Sequence, residues 1–115
     1  MKKPGQVILF QFPQTNMAQG KLRPALLLGK LPGPYDDWLV CMISSQLHQH
    51  VKGFDEIVDK NDSDFSRSGL KATSLIRTGR LAVIDGGILL GTLGEVDTER
   101  LKRIKVRLSE WFKKV

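Results

Sequence analysis

The chain has 115 residues, which is enough for one domain and too few for two, because domains usually run to about 100–150 residues. With 41% hydrophobic and 26% charged residues it has a globular composition, which excludes disordered, collagen-like and coiled-coil classes. The formal net charge of +6 fits a polyanionic partner and, equally, simple solubility. We therefore predict one compact domain over residues 1–115.

Cysteine content and the length of apolar runs exclude further classes. Cys41 is the only cysteine, so an internal disulfide and a thiolate zinc site are both excluded. No apolar run approaches the roughly 20 residues that span a bilayer, and residues 7–10 are too few for the apolar segment of a signal peptide. We expect a cytoplasmic protein with no membrane contact.

Charge is unevenly distributed along the chain. Residues 1–35 contain five cations and no carboxylate, whereas residues 36–64 contain seven carboxylates and two cations. The remaining residues are basic again, with eleven cations and five carboxylates. We expect the acidic stretch 59–64 to form a surface loop within an otherwise positive field.

The first half of the chain predicts three strands. Short apolar runs rich in strand-forming residues occupy residues 7–12, 24–28 and 38–43. The polar residues 13–22 form a loop between the first two strands, and residues 31–34 form a turn. Because proline lacks a backbone N–H, we expect Pro24 at the first residue of its strand or on a sheet edge.

The second half predicts more strands and then a helix. Residues 46–52 are a loop or frayed strand, with residues 54–58 as a strand beside it. Residues 73–84 read as two strand pieces separated near Gly79, where a bulge or bend is least costly, and residues 85–87 form a turn. The whole pattern predicts a small β-rich domain closed by one helix.

The C-terminal helix has the clearest periodicity in the chain. Its apolar face is formed by Leu101, Ile104, Leu108, Trp111 and Val115, with Asp97 or Thr98 as the cap. We interpret Trp111 as a core anchor. The cations that lie mostly away from this face, Lys102, Arg103, Lys105 and Arg107, are interpreted as a solvated surface, with a role in binding RNA or a partner as the alternative.

Candidate chemistry centres on an arginine, two serines and two histidines. Arg23 enters a buried strand after the polar loop, where its fork of donors can grip a phosphate or form a surface ion pair. Ser44 and Ser45 end a strand, so one hydroxyl points inward and the other away, as phosphate donors or simple polar ends. His48 and His50 offer an acid or base, or are exposed loop residues.

Common catalytic motifs are missing from the sequence. It has no Gly-x-Ser-x-Gly, Walker, His-Glu-x-x-His or dinucleotide-binding motif, and two histidines without a third ligand make a poor metal site. We predict no metal and no cofactor. Cleavage of RNA by its own 2′-hydroxyl remains feasible, because arginine and hydroxyl groups suffice to position the reactants and neutralise the pentavalent phosphorus.

Several segments, in order, resemble the PemK/MazF toxins of toxin–antitoxin pairs. They are residues 5–9, 21–28, 40–46, 68–77 and 93–94. The resemblance implies an SH3-like barrel of about five to seven strands with a C-terminal helix, forming a homodimer. It also implies a metal-independent, sequence-selective endoribonuclease that cleaves single-stranded mRNA to 2′,3′-cyclic phosphate and 5′-hydroxyl ends and is blocked by an antitoxin.

The same resemblance assigns residue roles. Arg23 matches the arginine that acts on the scissile phosphate, Ser44 matches a position usually held by threonine, and Arg77 aligns with a second catalytic arginine of some members. Substrate-binding roles fall on Lys21, Ser45, Gln46, His48 and Lys71. Residues 14–22 lack the Glu or His that several members use as a base, which leaves His48, Arg23 or a reduced activity as alternatives.

Two other functions are compatible with the sequence. A toxin resembling CcdB poisons DNA gyrase without catalysis, through an aromatic end of its C-terminal helix, and Trp111 lies near the end of this chain. A degenerate member would bind RNA or antitoxin and cleave nothing. The intact pair of Arg23 and Ser44 favours RNA cleavage.

Overall fold

The computed structural model describes residues 2–11, 22–89 and 91–115, and an antiparallel sheet forms most of it. Its strands, in chain order, are β1 (Gln6–Gln11), β2 (Leu22–Lys30), β3 (Asp37–Ser44), β4 (Glu56–Val58), β5 (Ser74–Asp85) and β6 (Gly91–Glu95). They lie in the order β4-β5-β3-β2-β1-β6, and the sheet curls into a half-barrel. The helices are α1 (Phe65–Ser68) and α2 (Thr98–Lys114), with 3-10 turns at Leu47–Gln49 and Gly86–Ile88. The predicted β-rich fold with a C-terminal helix is confirmed.

Alternating side chains of the sheet form two apolar layers. One layer, which packs against α2 through the buried Ile104, is formed by Val7, Leu26, Leu28, Cys41, Ile43 and Ile76. The opposite layer is formed by Ile8, Phe10, Ala25, Leu27, Trp38, Val40 and Ile84. Because the central strands bury side chains on both faces, they appear in the sequence as continuous apolar runs.

The long fifth strand contains the predicted bulge. Arg77 pairs with Met42, and Leu81 pairs with the adjacent Cys41. Residues 78–80 of β5 are therefore inserted between two neighbouring pairs of the β3–β5 register. A Cβ atom on Gly79 would lie 3.2 Å from the ring of Phe54, which leaves little space for a side chain there. The strand continues through the bulge as one element, where the sequence predicted two pieces.

Pro24 corrects the prediction about its position. It is the third residue of β2, pairs with Leu9, and lies in an interior strand between β1 and β3. The pairing of β2 with β3 begins one residue later, at Ala25. The β2–β3 ladder therefore starts after Pro24, which has no N–H to donate.

Several boundaries also differ from the predictions. Residues 46–52 contain a 3-10 turn, and the short β4 pairs with β5 instead of with that segment. The sequence did not predict β6, whose glycines weaken the strand pattern. Phe12 and all but the last residue of the predicted loop 13–22 lie outside the described residues.

The helix α2 begins after Asp97, as predicted, although the Asp97 side chain makes no capping hydrogen bond. The interpretation of Trp111 as a core anchor is wrong, because its side chain is 47% exposed. Every residue from 109 onward is exposed, and Trp111 contacts the rings of Phe54 and Phe112 instead of the core. No helix in the described part of the chain is long and apolar enough to cross a membrane.

Two electrostatic predictions also need correction. The acidic stretch 59–64 is partly buried, since Asp64 is only 1% exposed and accepts hydrogen bonds from Arg100. On α2, Arg103 and Arg107 bind Glu56 with N···O distances of 3.0 and 2.6 Å and so are not freely solvated. A buried carboxylate needs such partners, and these elements become neighbours only in the folded chain.

Candidate functional site

A cavity of about 540 Å³ lies where β2 begins and β3 ends. The polar residues that line it are Arg23, Ser44, Ser45, Lys71 and Ser74. Its apolar lining comes from Leu9, Leu22, Pro24, Ile43, Leu70 and Leu93, and no carboxylate is among the described lining residues. The cavity therefore combines cations and hydroxyl groups with an apolar wall, which suits a ligand that carries both phosphate and base.

Strand register places the three predicted catalytic residues on one face of the sheet. Ala25 and Met42 form the first pair of the β2–β3 register, so Arg23 and Ser44, two residues further along their strands, lie just beyond that pair on the same face. Arg77 pairs with Met42 from the other side, so it lies on this face one step along the strands.

The Arg23 guanidinium is half-buried and unpaired within the described chain. No hydrogen bond or ion pair joins its side chain to any residue of 2–11, 22–89 or 91–115. A guanidinium keeps its charge at every relevant pH and offers donors that match two phosphate oxygens. Arg23 is therefore available to an anion that enters the cavity.

Ser44 and Ser45 point to opposite sides, as the sequence predicted. Ser44 is 4% exposed, whereas Ser45 is exposed. The Oγ atom of Ser44 accepts a hydrogen bond of 3.0 Å from the Gln46 backbone N–H. Because this contact uses only a lone pair, the hydroxyl hydrogen remains available for donation to a ligand oxygen.

A tightly packed loop forms the wall opposite the strands and carries Lys71 to the cavity rim. Gly69 ends α1 in the left-handed conformation with φ of +74°, and a Cβ atom there would collide with the Leu93 carbonyl. A Cβ atom on Gly94 would collide with the Arg67 carbonyl in the same way. The sequence analysis selected Lys71 through the family resemblance but not the wall that carries it, for which the two glycines were the available signal.

Three predicted residues lie outside the cavity lining. Gln46 contributes its backbone to the Ser44 contact, and His48 is exposed in the 3-10 turn Leu47–Gln49. Arg77 donates from Nη1 to Gln49 Oε1 at 3.2 Å, which holds its guanidinium toward that turn. Lys21 lies outside the described residues.

Other candidate groups are poorly suited to chemistry here. Burial raises the pKa of the Cys41 thiol to about 12, with a smaller contribution from Asp55, so the thiol is not a nucleophile at neutral pH. Over the described residues, no group of three or more His, Cys, Asp or Glu side chains has an arrangement that could hold a metal ion.

The comparison with known families covers nearly the entire chain. A family model described as a PemK-like, MazF-like toxin of a type II toxin–antitoxin system matches residues 3–112. The matched span includes every described strand, α1, residues 98–112 of α2 and all described residues that line the cavity. No curated protein matches the chain.

Proposed function

Because the chain belongs to the PemK-like, MazF-like family of type II toxins, we propose that it is an endoribonuclease that cleaves single-stranded mRNA in the cytoplasm without a metal ion. Its family membership implies an antitoxin as partner. The observation that carries the proposal is that the half-buried Arg23, which has no side-chain partner among the described residues, and the buried Ser44 line one cavity.

The proposed reaction is an in-line attack of the RNA 2′-hydroxyl on the adjacent phosphorus. The 2′-oxygen forms a bond to phosphorus while the bond to the 5′-oxygen breaks, which gives a 2′,3′-cyclic phosphate and a 5′-hydroxyl. Arg23 neutralises the negative charge that develops on the phosphoryl oxygens, and the Ser44 hydroxyl donates to one of them. Lys71 and Ser45 at the cavity rim bind the flanking backbone.

Two protons must also move, one from the 2′-hydroxyl and one to the 5′-oxygen. Of the alternatives left open by the sequence, His48 is the weaker, because it lies in an exposed turn and does not line the cavity. Arg23 lines the cavity itself, and Arg77 lies on the same face of the sheet. Because a guanidinium keeps its charge at every relevant pH, we assign the two proton transfers to solvent water, which the arginine pair orients at the phosphate.

The proposed partners follow from the surface charge and the family. A net charge of +6 and a cavity without described carboxylates attract an acidic antitoxin segment to the RNA site. A segment that folds across this site would exclude RNA, which is how the antitoxin silences the enzyme in this proposal. A homodimer would join two such sites into a longer groove.

Cleavage in the presence of EDTA tests the nuclease proposal. The purified protein is incubated with a long single-stranded RNA and with DNA of the same sequence, and the ends are identified by mass spectrometry. We expect discrete RNA fragments with cyclic phosphate ends and intact DNA. Arg23→Ala should lower the rate by about 10²–10³-fold, as loss of a group that stabilises transition-state charge usually does.

Arg103→Ala is the matched control, because it removes an arginine from α2, outside the cavity. It should cleave within about threefold of the unmodified rate, since no transition-state contact is lost. Activity of Arg23→Ala equal to that of Arg103→Ala would contradict the site assignment. Absence of cleavage with several long RNAs would contradict the nuclease proposal itself.

One observation favours a second candidate function, the poisoning of DNA gyrase. Trp111 and Phe112 are 47% and 71% exposed at the end of α2, where the CcdB-like alternative requires an accessible aromatic group. Binding of gyrase that is lost in Trp111→Ala and retained in Arg23→Ala would support this candidate. The opposite pattern of variants in the RNA assay would support the nuclease.

A further inference from the structure

A second arginine, remote from Arg23 in sequence, is fully engaged by carboxylates. Arg100 on α2 is 6% exposed, and its guanidinium donates to four different residues. The Nε and Nη2 atoms bind Asp64 at 2.8 and 3.0 Å, Nη2 also binds Asp62, and Nη1 binds Glu56 and the Ile57 carbonyl. The two-point contact to Asp64 fixes the angle as well as the distance between the groups.

Asp64 is the junction between this network and the cavity wall. It is 1% exposed, immediately precedes α1, and also accepts a 3.0 Å hydrogen bond from the Asp97 backbone N–H. Its carbonyl accepts from the Ser68 N–H, and α1 ends at Gly69, two residues before Lys71. Asp64 therefore ties one end of the segment 64–71 to the start of α2.

The other side of this segment rests on β6. The Cβ collisions described for Gly69 and Gly94 show that the backbones of the segment and of β6 are in direct contact. The Ser68 hydroxyl is buried, donates to the Phe65 carbonyl and accepts from the Leu70 N–H at 3.2 Å. The segment is held between α2 and β6, and these contacts fix where Leu70 and Lys71 line the cavity.

We propose that Asp64 and Arg100 are positioning residues for RNA binding, because their ion pair holds the segment 64–71 so that Lys71 faces the cavity. This inference rests on the proposed nuclease function. Buried ion pairs contribute little net stability compared with apolar pairs of similar volume, whereas their geometry is specific. Glu56 belongs to the same network and binds Arg103 and Arg107, whose side-chain hydrogen bonds go to Glu56 and the Asp55 carbonyl.

A combined exchange and binding experiment tests this role. The variants are Asp64→Asn, which removes the charge, and Arg100→Lys, which keeps the charge and loses the fork. Arg103→Gln is the matched control on the same helix. Amide hydrogen exchange is measured for Ser68, Gly69 and Leu70, with the buried β3 amides as the fold reference. We expect exchange in the segment to accelerate at least tenfold in the first two variants and to stay unchanged in the control, while the β3 amides remain better protected than the segment in every variant.

RNA binding is then measured with an oligonucleotide that carries a 2′-deoxy sugar at the cleavage position, with and without Lys71→Ala. In the unmodified background and in Arg103→Gln, Lys71→Ala should weaken binding about fivefold. In Asp64→Asn the same substitution should change the Kd less than twofold, because Lys71 no longer has a fixed position. A purely structural role would leave the fivefold factor unchanged in every background.

The outcomes separate this inference from the nuclease proposal. Equal exchange of the segment in all three variants would overturn the positioning role, as would a constant Lys71→Ala factor in the binding cycle. Exchange of the β3 amides as fast as that of the segment in Asp64→Asn and Arg100→Lys would also overturn it, since the whole fold and not the segment would then be opening. An unmodified protein that neither binds nor cleaves RNA would overturn the proposed function, and the exchange result would then decide the positioning role alone.

Discussion

Two arginines of this protein are both removed from full solvent contact, yet their surroundings differ completely. Arg100 is surrounded by three carboxylates and a carbonyl, and each of its nitrogen atoms has a partner. Arg23 has no side-chain partner among the described residues and belongs to the lining of a cavity whose described lining contains no carboxylate. A buried charge with complete pairing is costly to disturb, whereas one without a partner at a cavity is available to a ligand.

Charge pairing in the folded chain distinguishes the two arginines, whereas the sequence does not. The sequence contains 18 cations, and neither identity nor local context distinguishes Arg100 from its neighbours on α2. The folded chain brings Glu56, Asp62 and Asp64 to Arg100 and brings none of the described carboxylates to Arg23. Substitutions at the two positions should therefore affect different measurements.

The largest expected effect is on stability, from Arg100→Met. Removal of this guanidinium leaves Asp64 and Glu56 buried with fewer partners, and breaking a buried ion pair usually costs about 3–5 kcal/mol. Urea unfolding at pH 7 measures the loss. Arg23→Met should change the free energy of unfolding by less than about 1 kcal/mol, because no ion pair within the described chain is broken. A similar loss of unfolding free energy in the two variants would show that charge pairing does not distinguish Arg100 from Arg23.

A smaller effect, on catalysis, is expected from Ser44→Ala. Loss of one donor to the phosphoryl oxygens should lower the cleavage rate about 10²-fold, while the free energy of unfolding falls by about 1 kcal/mol through the lost Gln46 contact. Ser44→Thr is the control, since it keeps the hydroxyl. We expect it to retain activity within about tenfold. Equal rates for the Ala and Thr variants would show that the hydroxyl does not act in the reaction.

Much of the fold was predictable because its strands and its C-terminal helix follow from local sequence patterns. Short apolar runs indicated the first three strands, and the spacing of Leu101, Ile104 and Leu108 indicated α2. Gly79 indicated the bulge in β5. These features depend on residues close in sequence, whereas the exposure of Trp111 depends on where the sheet ends beneath the helix. The helical spacing of Trp111 alone could not show that its side chain is exposed.

The candidate site was predictable only in part, for the same reason. Arg23 and Ser44 could be selected because each lies at a strand end beside a recognisable motif. The wall formed by Gly69, Leu70 and Lys71 against β6 requires contacts between distant segments. The ion pair of Arg100 with Asp64 joins residues 36 positions apart, so no local pattern signals it.

The smallest expected effect is on the pH dependence of the free energy of unfolding. Hydrogen bonds from Arg100 hold the pKa of Asp64 at about 2, below the ordinary 3.8, with a further contribution from the Asp97 N–H and burial acting in the opposite direction. A lowered carboxyl pKa stabilises the fold above the unfolded pKa, and this stabilisation is lost as pH falls through the folded pKa. The loss should be about 2 kcal/mol between pH 6 and pH 2.

Other carboxyl groups also titrate in this range; the indole N–H of Trp38, for example, lowers the pKa of Asp36. The informative quantity is therefore the difference in unfolding free energy between the unmodified protein and Asp64→Asn, followed by urea titration from pH 6 to pH 2. That difference should shrink by about 2 kcal/mol on acidification, because asparagine does not titrate. Arg23→Met should follow the unmodified protein at every pH, since no described carboxylate pairs with Arg23. Parallel curves for the unmodified protein and Asp64→Asn would show that the charge of Asp64 does not stabilise the fold through Arg100.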